Sequence, residues 1–191
     1  EDGRTAAGSL GQRAMVLVYL VLETHRFTEF DAHYLPAPEI PFTRISEPKN
    51  YSGREMPEGK TVLCAELPCS TDDALWTWTD EDLGELVAQG LARAGLPLRA
   101  PVLEVATRRL PSAYPLYRVG YQKHLDLIDG WIRSLPGILT FGRQGLFAHD
   151  NTHHALFMAR SATDCLEEDG GFDRERWAGY RKIFGTHVVQ D

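Results

Sequence analysis

The longest uninterrupted apolar stretch of the chain runs from Ala14 to Leu22, between Arg13 and Glu23. A membrane-spanning helix needs roughly 20 apolar residues, so a stretch of this length predicts no membrane span. Its length and its content of valine, leucine and tyrosine favour a central strand over a helix. It is also interpreted as a strand rather than a secretory signal, because charged residues instead of a small-residue cleavage site follow Leu22.

The remaining pattern predicts an α+β fold. Apolar–polar patterning predicts further strands over residues 40–46, 61–67, 101–107 and 138–141. Helical spacing predicts helices from Thr79 to about Ala94 and over residues 121–135, 152–166 and 172–184. Residues 47–60 are rich in proline and glycine and predict a loop. Because strands and helices do not alternate regularly, we expect a mixed, largely antiparallel sheet with flanking helices.

Three local patterns add detail. Thr79 precedes three acidic residues and is predicted to cap the helix that follows. Trp76 and Trp78 alternate on a segment that is expected to be strand-like and to pack in the core. One face of the 152–166 helix is expected to carry a small-residue stripe suited to close packing, formed by Ala155, Ala159, Ala162 and Leu166.

Charge and cysteine content restrict the function and the compartment. The chain has 20 Lys and Arg against 27 Asp and Glu, a net charge of −7, and its basic residues are scattered. This balance excludes the basic surface that a nucleic-acid-binding protein needs. Cys64, Cys69 and Cys165 are too few for a disulfide framework, so we expect free thiols in a reducing cytoplasm.

The densest cluster of functional side chains lies between Gly142 and His154, where a predicted strand leads into a helix. The first N–H groups of a helix are unpaired and its dipole is positive there, which suits an anion. Gly142 and Gly145 let the backbone approach a ligand, and Arg143 offers a planar fork of donors. The alternative is a helix capped by Asp150 or Asn151 with Arg143 in a structural ion pair, and composition alone favours it.

Other candidate sites are weaker. His149 and His153 have the spacing of two metal ligands, but the helix is expected to begin near Asn151 and no cysteine or glutamate completes a site, so no metal centre is predicted. Tyr114, Tyr117 and Tyr121 can line a ligand pocket or pack in the core. Arg44 lies among apolar residues and needs a partner, either a ligand anion or Glu47.

Several of these segments together resemble a known family. The carrying motifs are Gly142-Arg143-x-Gly145-x-Phe147-x-x-x-Asn151, the stretch 40–52, Tyr114-Pro115 with the 121–135 helix, and the closing residues 186–189. In order and spacing they resemble the protoporphyrinogen oxidase-like and flavin amine oxidase group, to which the UDP-galactopyranose mutases are related. The resemblance covers nearly the whole chain. The mutases have an aromatic residue where His149 stands and an acidic one where Asn151 stands.

The resemblance implies a role in binding FAD and an organic substrate. It implies flavin contacts for Gly142, Arg143 and Gly145, and a position beside the flavin pyrimidine carbonyl for Asn151, Thr152 and His153. It implies substrate contacts for Arg44, Tyr114 and Tyr117. It assigns no catalytic acid or base.

The resemblance also implies a partner. The family carries a Rossmann-type FAD domain with a glycine-rich loop, and no such loop occurs in this sequence. We therefore expect a substrate-binding-type domain over residues 1–137 and a segment over residues 138–191 that packs on an FAD domain in cis or in trans. The chain would then be an excised domain, a proteolytic remnant or one subunit of a split enzyme.

The expected function is the substrate-domain part of an FAD-dependent oxidoreductase. The alternatives are a non-catalytic ligand- or partner-binding module, and part of a redox-neutral flavin mutase that acts on a nucleotide sugar. Without an FAD domain, the apolar face of the 152–166 helix is expected to cause self-association.

Overall fold

The computed structural model of the chain describes residues 3–53 and 55–189. The chain divides into two compact units. The sheet unit comprises residues 13–113, and the helical unit joins the segment up to Gln12 with the chain from Tyr114 onward.

The strands form one open sheet in the order β2-β3-β4-β1-β5. Their bounds are β1 (Gly11–Leu22), β2 (Ala32–Tyr34), β3 (Arg44–Ser46), β4 (Thr61–Cys69) and β5 (Val102–Leu116). Neighbouring strands are antiparallel throughout, which confirms the predicted α+β class with a sheet that is antiparallel rather than mixed.

Strand β1 lies inside this sheet, between β4 and β5, as the apolar run predicts. It pairs with β4 from Ala14 opposite Cys69 to Leu22 opposite Thr61. Alternate residues, with Val16, Val18 and Leu20 among them, are completely or almost completely buried. They pack in one core with helix α3 (Asp80–Arg93), which supplies Leu83, Val87 and Leu91.

Helix α3 begins where the sequence predicts. The Thr79 hydroxyl oxygen accepts a hydrogen bond from the Asp82 N–H at 3.1 Å, so Thr79 is the N-cap. Gly90 lets this helix approach the core closely, because a Cβ atom there would lie only 2.5 Å from Cε1 of Phe42.

The segment between β3 and β4 is anchored by a buried carboxylate. Glu47 is 2% exposed and accepts four hydrogen bonds. The donors are the N–H groups of Phe27 and Thr28, the Asn50 amide and the Thr61 hydroxyl, at 2.6–3.2 Å. Glu47 therefore connects the segment at Phe27 and Thr28 and the segment at Asn50 to Thr61, the first residue of β4.

A buried lysine anchors the same segment from its other side. The predicted loop contains a short helix, α2 (Pro48–Ser52). Lys49 is 6% exposed, and its Nζ donates to the backbone carbonyls of His25, Pro57 and Lys60 at 2.9–3.1 Å. These bonds satisfy the ammonium group that burial would otherwise penalise.

The helical unit contains α1 (Gly3–Gly8), α4 (Tyr121–Ser134), α5 (Gly142–Gly145), α6 (Thr152–Asp164) and α7 (Arg174–Phe184). Helix α1 packs on α4. The main core of this unit lies where α6 meets α7 and comprises Met158, Ala162, Cys165, Trp177 and Phe184. Across the described part of the chain, every helix falls short of the length and apolarity needed to cross a bilayer.

Several local predictions are wrong. Residues 138–141 form no strand, because Leu139 and Phe141 pack against helix side chains instead of a strand edge. The segment with Trp76 forms a 3₁₀ turn over Ala74–Thr77. Only residues 44–46 of the predicted 40–46 strand belong to β3.

The buried face of α6 also differs from the predicted stripe. The helix buries His154, Met158 and Ser161 together with Ala162, whereas Leu166 lies beyond its end at Asp164 and is 60% exposed. The larger Met158 fills the space towards α7, so most of the small residues lie beside the core instead of in it.

We expect Glu47→Ala to destabilise the sheet unit by about 3 kcal/mol, because it leaves the Phe27 and Thr28 N–H groups without their acceptor. Urea unfolding followed by circular dichroism measures the loss. The matched control is Glu58→Ala in the same segment, where the side chain is exposed, with an expected change below about 0.5 kcal/mol. Equal stabilities of the two variants would contradict this assignment.

Candidate functional site

The glycine-rich segment opens at Gly142, whose φ is +77°, a conformation that favours glycine. A Cβ atom there would meet no atom within 4 Å, so this side of the backbone is open to a ligand. The Gly142 N–H donates to Sδ of Met158 at 3.1 Å. Gly145 is different, because its Cβ position lies 3.3 Å from Thr140 and the residue packs internally.

Arg143 holds the loop before α6. Its Nη2 and Nε donate to the backbone carbonyl of Asp150 at 2.6 and 3.2 Å. Its guanidinium carbon lies 4.6 Å from the centroid of the Tyr114 ring, a cation–π contact. Arg143 therefore donates to a backbone carbonyl, whereas the alternative of a structural ion pair predicted a carboxylate partner.

An aromatic cluster surrounds this segment. The rings of Tyr117, Tyr121 and Phe147 lie with centroids 5.1–5.8 Å apart. Phe147 is buried and has a φ of +50°, an unfavourable conformation for a bulky residue that tertiary packing must hold. Burial raises the pKa of the Tyr117 phenol, and the neighbouring Tyr121 and Asp150 raise it further.

The start of α6 presents two exposed residues. Asn151 is the N-cap, one of the two residues that the sequence suggested, and it forms a capping box with His154. Thr152 and His153, at the first two helical positions, are exposed. The positive end of the α6 dipole therefore lies at a surface that an anionic group can reach.

The other candidate residues divide between the two units. Tyr114 and Tyr117 belong to the helical unit with the glycine-rich segment, whereas Arg44 belongs to the sheet unit. Arg44 pairs with Glu66 on β4, so the suggested Glu47 partner is wrong. Burial favours the neutral form of Arg44, but hydrogen bonding to Glu66 outweighs this effect and raises the arginine pKa.

The structure also reveals a cluster that the sequence analysis missed. Asp150, His154 and His187 offer ligand atoms that all lie within 4.8 Å of one another. The spacing of Asp150 and His154 gives a local signal for such a pair. His187 lies 33 positions after His154 (187 − 154), and no local pattern connects it to them.

All three cysteines are free and buried. Burial raises the pKa of the Cys64, Cys69 and Cys165 thiols, and the nearest carboxylates, Glu66, Asp73 and Asp173, raise the respective values further. A raised thiol pKa keeps the sulfur protonated and unreactive near neutral pH. The cysteines are therefore not activated nucleophiles.

The fold is similar to parts of two solved structures. One is a reduced UDP-galactopyranose mutase, with a TM-score of 0.73 and 19% identity over 97% of this chain and 40% of that protein. The other, from Exiguobacterium sp. 255-15, carries the name protoporphyrinogen oxidase, with a TM-score of 0.53 and 21% identity over 73% of this chain and 32% of that protein. The chain shares the fold of a segment of these proteins and spans less than half of their length.

Sequence comparison adds no family to this result. No protein family profile matches the chain, and no curated protein matches it. At identities near 20%, the structural similarity shows a shared fold alone.

We expect the three thiols of the native chain to react slowly with a disulfide reagent near pH 8, because their pKa values are raised and the sulfurs are buried. In urea all three should react quickly. The unfolded thiols lose their protons at a lower pH than the folded ones, so folding stability should fall as the pH rises above the unfolded thiol pKa. Rapid modification of the folded chain would contradict this prediction.

Proposed function

We propose that this chain is the substrate-domain part of an FAD-dependent oxidoreductase that transfers hydride from an organic substrate to flavin. The observation that carries the proposal is the free space beside the backbone of Gly142. The same stretch of chain leads into the exposed N-terminus of α6, the positive end of its dipole. The shared fold with segments of the mutase and oxidase structures supports it. It also agrees with the family that the sequence resembles.

The residues of the glycine-rich segment fit a planar cofactor. Gly142 leaves room for a ring system against the backbone, Gly145 lets the turn close on Thr140, and Arg143 keeps the loop in place. Flavin, when bound, supplies the redox chemistry by accepting the hydride. Asn151, Thr152 and His153 would place the positive end of α6 beside the pyrimidine carbonyl, where negative charge on a reduced flavin is stabilised.

Three residues are proposed to contact the substrate. Tyr114 and Tyr117 offer aromatic surface next to Arg143, and Tyr117 is 46% exposed. Arg44 is proposed as a further substrate contact, although its guanidinium is already engaged by Glu66. We assign no catalytic acid or base to this chain, because flavin, when bound, supplies the redox chemistry.

We further propose that an FAD domain of the Rossmann type, in cis or in trans, completes the enzyme, with residues 1–137 as the substrate-binding part and 138–191 packing on that domain. Support comes from an apolar cavity of about 630 Å³ in the helical unit. Its lining includes Ala159, Ala162 and Leu166 of the predicted stripe, with Ile138 and Trp177. Ile138 and Leu166 are 50% and 60% exposed, which is typical of a surface that a partner covers.

A redox-neutral mutase acting on a nucleotide sugar is the second candidate, favoured by the fold similarity to UDP-galactopyranose mutase over nearly the whole chain. A diphosphate substrate needs free arginines. Arg109 is not free to bind a diphosphate, because its Nε and Nη2 donate to the Trp76 and Trp78 carbonyls at 2.6 Å. His149 and Asn151 also depart from the mutase pattern, so we prefer the oxidoreductase. A reducing, cytoplasmic location is proposed from the three free thiols.

The first experiment is native purification with an absorbance scan and mass spectrometry of every copurifying chain. Flavin absorbance together with a chain bearing a glycine-rich dinucleotide loop is the expected result. Bleaching of that flavin by an organic substrate, without external reductant, would favour the oxidoreductase over the mutase. A colourless chain without such a partner would favour the non-catalytic binding module.

In the flavin-containing protein, we expect Arg143→Ala to lower flavin retention by about tenfold, because the loop loses its bonds to the Asp150 carbonyl. Flavin content after gel filtration measures this effect. Arg160→Ala, on the exposed side of α6, is the matched control and should retain flavin fully. Unchanged flavin content in the Arg143 variant would refute this placement of the residue.

For the chain without an FAD domain, we expect dimers or larger species in light scattering at high concentration, because the cavity face is uncovered. Leu166→Glu should shift the population towards the monomer. Leu156→Glu is the matched control, since Leu156 is 66% exposed on α6 but does not line the cavity. A monodisperse wild-type monomer would argue against the proposed face.

A further inference from the structure

Three metal-ligating side chains that the proposed flavin seat does not use meet in the helical unit. Asp150 comes from the loop before α6, His154 from the first turn of α6, and His187 from the segment after α7. Their side chains are 4%, 11% and 12% exposed. At this burial water is a poor partner, so these polar groups need partners inside the protein.

Two polar atoms of this cluster have no such partner. Asp150 Oδ2 and His187 Nδ1 are both buried, and neither makes a hydrogen bond to any residue that the structure describes. Buried polar atoms are hydrogen-bonded in the great majority of cases, so the unpartnered Asp150 Oδ2 and His187 Nδ1 call for an explanation. A cation bound between the two groups would satisfy both.

The distances suit a metal ion. Nδ1 of His154 and Nδ1 of His187 each lie 3.5 Å from Asp150 Oδ1. In a tetrahedral site with metal–ligand bonds of about 2.1 Å, two ligand atoms lie about 3.4 Å apart. The two imidazole rings are stacked, with centroids 4.3 Å apart and planes 17° apart. Because the lone pair of an imidazole nitrogen lies in the plane of its ring, one ring must rotate before both Nδ1 atoms can bind the same ion.

We propose that Asp150, His154 and His187 bind one divalent transition-metal ion, with Zn²⁺ as the best match. Two imidazoles and a carboxylate are typical of zinc, and a fourth position remains for water or a further ligand. Calcium and magnesium prefer oxygen ligands and do not match this set. The ion would join the loop before α6, the start of α6 and the segment after α7. This proposal does not depend on the proposed flavin chemistry.

Two features oppose the cation and limit its affinity. Nδ1 of His154 accepts a hydrogen bond from the Asn151 N–H at 3.2 Å, and metal binding through that nitrogen must displace it. The positive end of α6 and the Arg143 guanidinium also lie near Asp150. The expected dissociation constant is therefore micromolar rather than nanomolar.

Calorimetric titration of the chelator-treated, dialysed chain with ZnCl₂ tests the proposal. We expect one Zn²⁺ per chain, an increase in melting temperature on binding, and visible absorption from tetrahedral Co²⁺ when cobalt replaces zinc. His187→Phe keeps an aromatic ring stacked on His154 but removes the donor, and Asp150→Asn removes the charge at nearly the same size. Both should weaken Zn²⁺ binding by more than about tenfold.

His149→Phe is the matched control, because His149 lies in the same loop outside the cluster and its ring contacts Tyr114. It should leave the affinity within about twofold. A folded wild-type chain that takes up no Zn²⁺ at millimolar concentration overturns the proposal. Equal Zn²⁺ affinity in the wild type and in Asp150→Asn also overturns the proposal. If His187→Phe does not fold, the test rests on this comparison. No flavin is needed, so the outcome is independent of the proposed oxidoreductase.

Discussion

Val16, Val18 and Leu20 pack from one face of the central strand into a core that α3 closes, and the sheet unit depends on this burial. The antiparallel register of β1 with β4 follows from it, since a shift by one residue would turn these side chains to the opposite face. Strand β3 pairs with the other side of β4 and places Arg44 directly opposite Glu66. The arginine that is proposed as a substrate contact is therefore also engaged in an ion pair.

The helical unit is organised differently, because its core is small and hydrogen bonds position the candidate site. Arg143 connects the glycine-rich turn to the Asp150 carbonyl, and Asn151 and His154 cap α6 reciprocally. The positive φ of Phe147 is maintained within this frame by contacts with Tyr117 and Tyr121. Such a frame holds the backbone in one conformation before any ligand binds, which lowers the entropic cost of binding.

The start of α6 serves two environments at once. Thr152 and His153 lie at the surface, where the helix dipole favours an anionic ligand, while His154 is buried against His187. The exposed side supports the flavin proposal, and the buried side supports the metal proposal. Successive residues at the first turn of a helix point in different directions, so one short segment can contribute to both.

The sequence by itself determined the α+β class, the central strand, the Thr79 cap and the approximate bounds of α4, α6 and α7, because short-range periodicity and capping chemistry carry this information. It also singled out the Gly142–His154 segment as a candidate ligand site, which stays a prediction, and it suggested a fold that the chain shares with segments of two solved structures. Only the tertiary structure decided that residues 138–141 pack as an irregular segment, that Glu66 forms an ion pair with Arg44, and that His187 lies beside Asp150. These outcomes depend on which distant residues become neighbours when the chain packs, and local sequence patterns do not predict such long-range contacts.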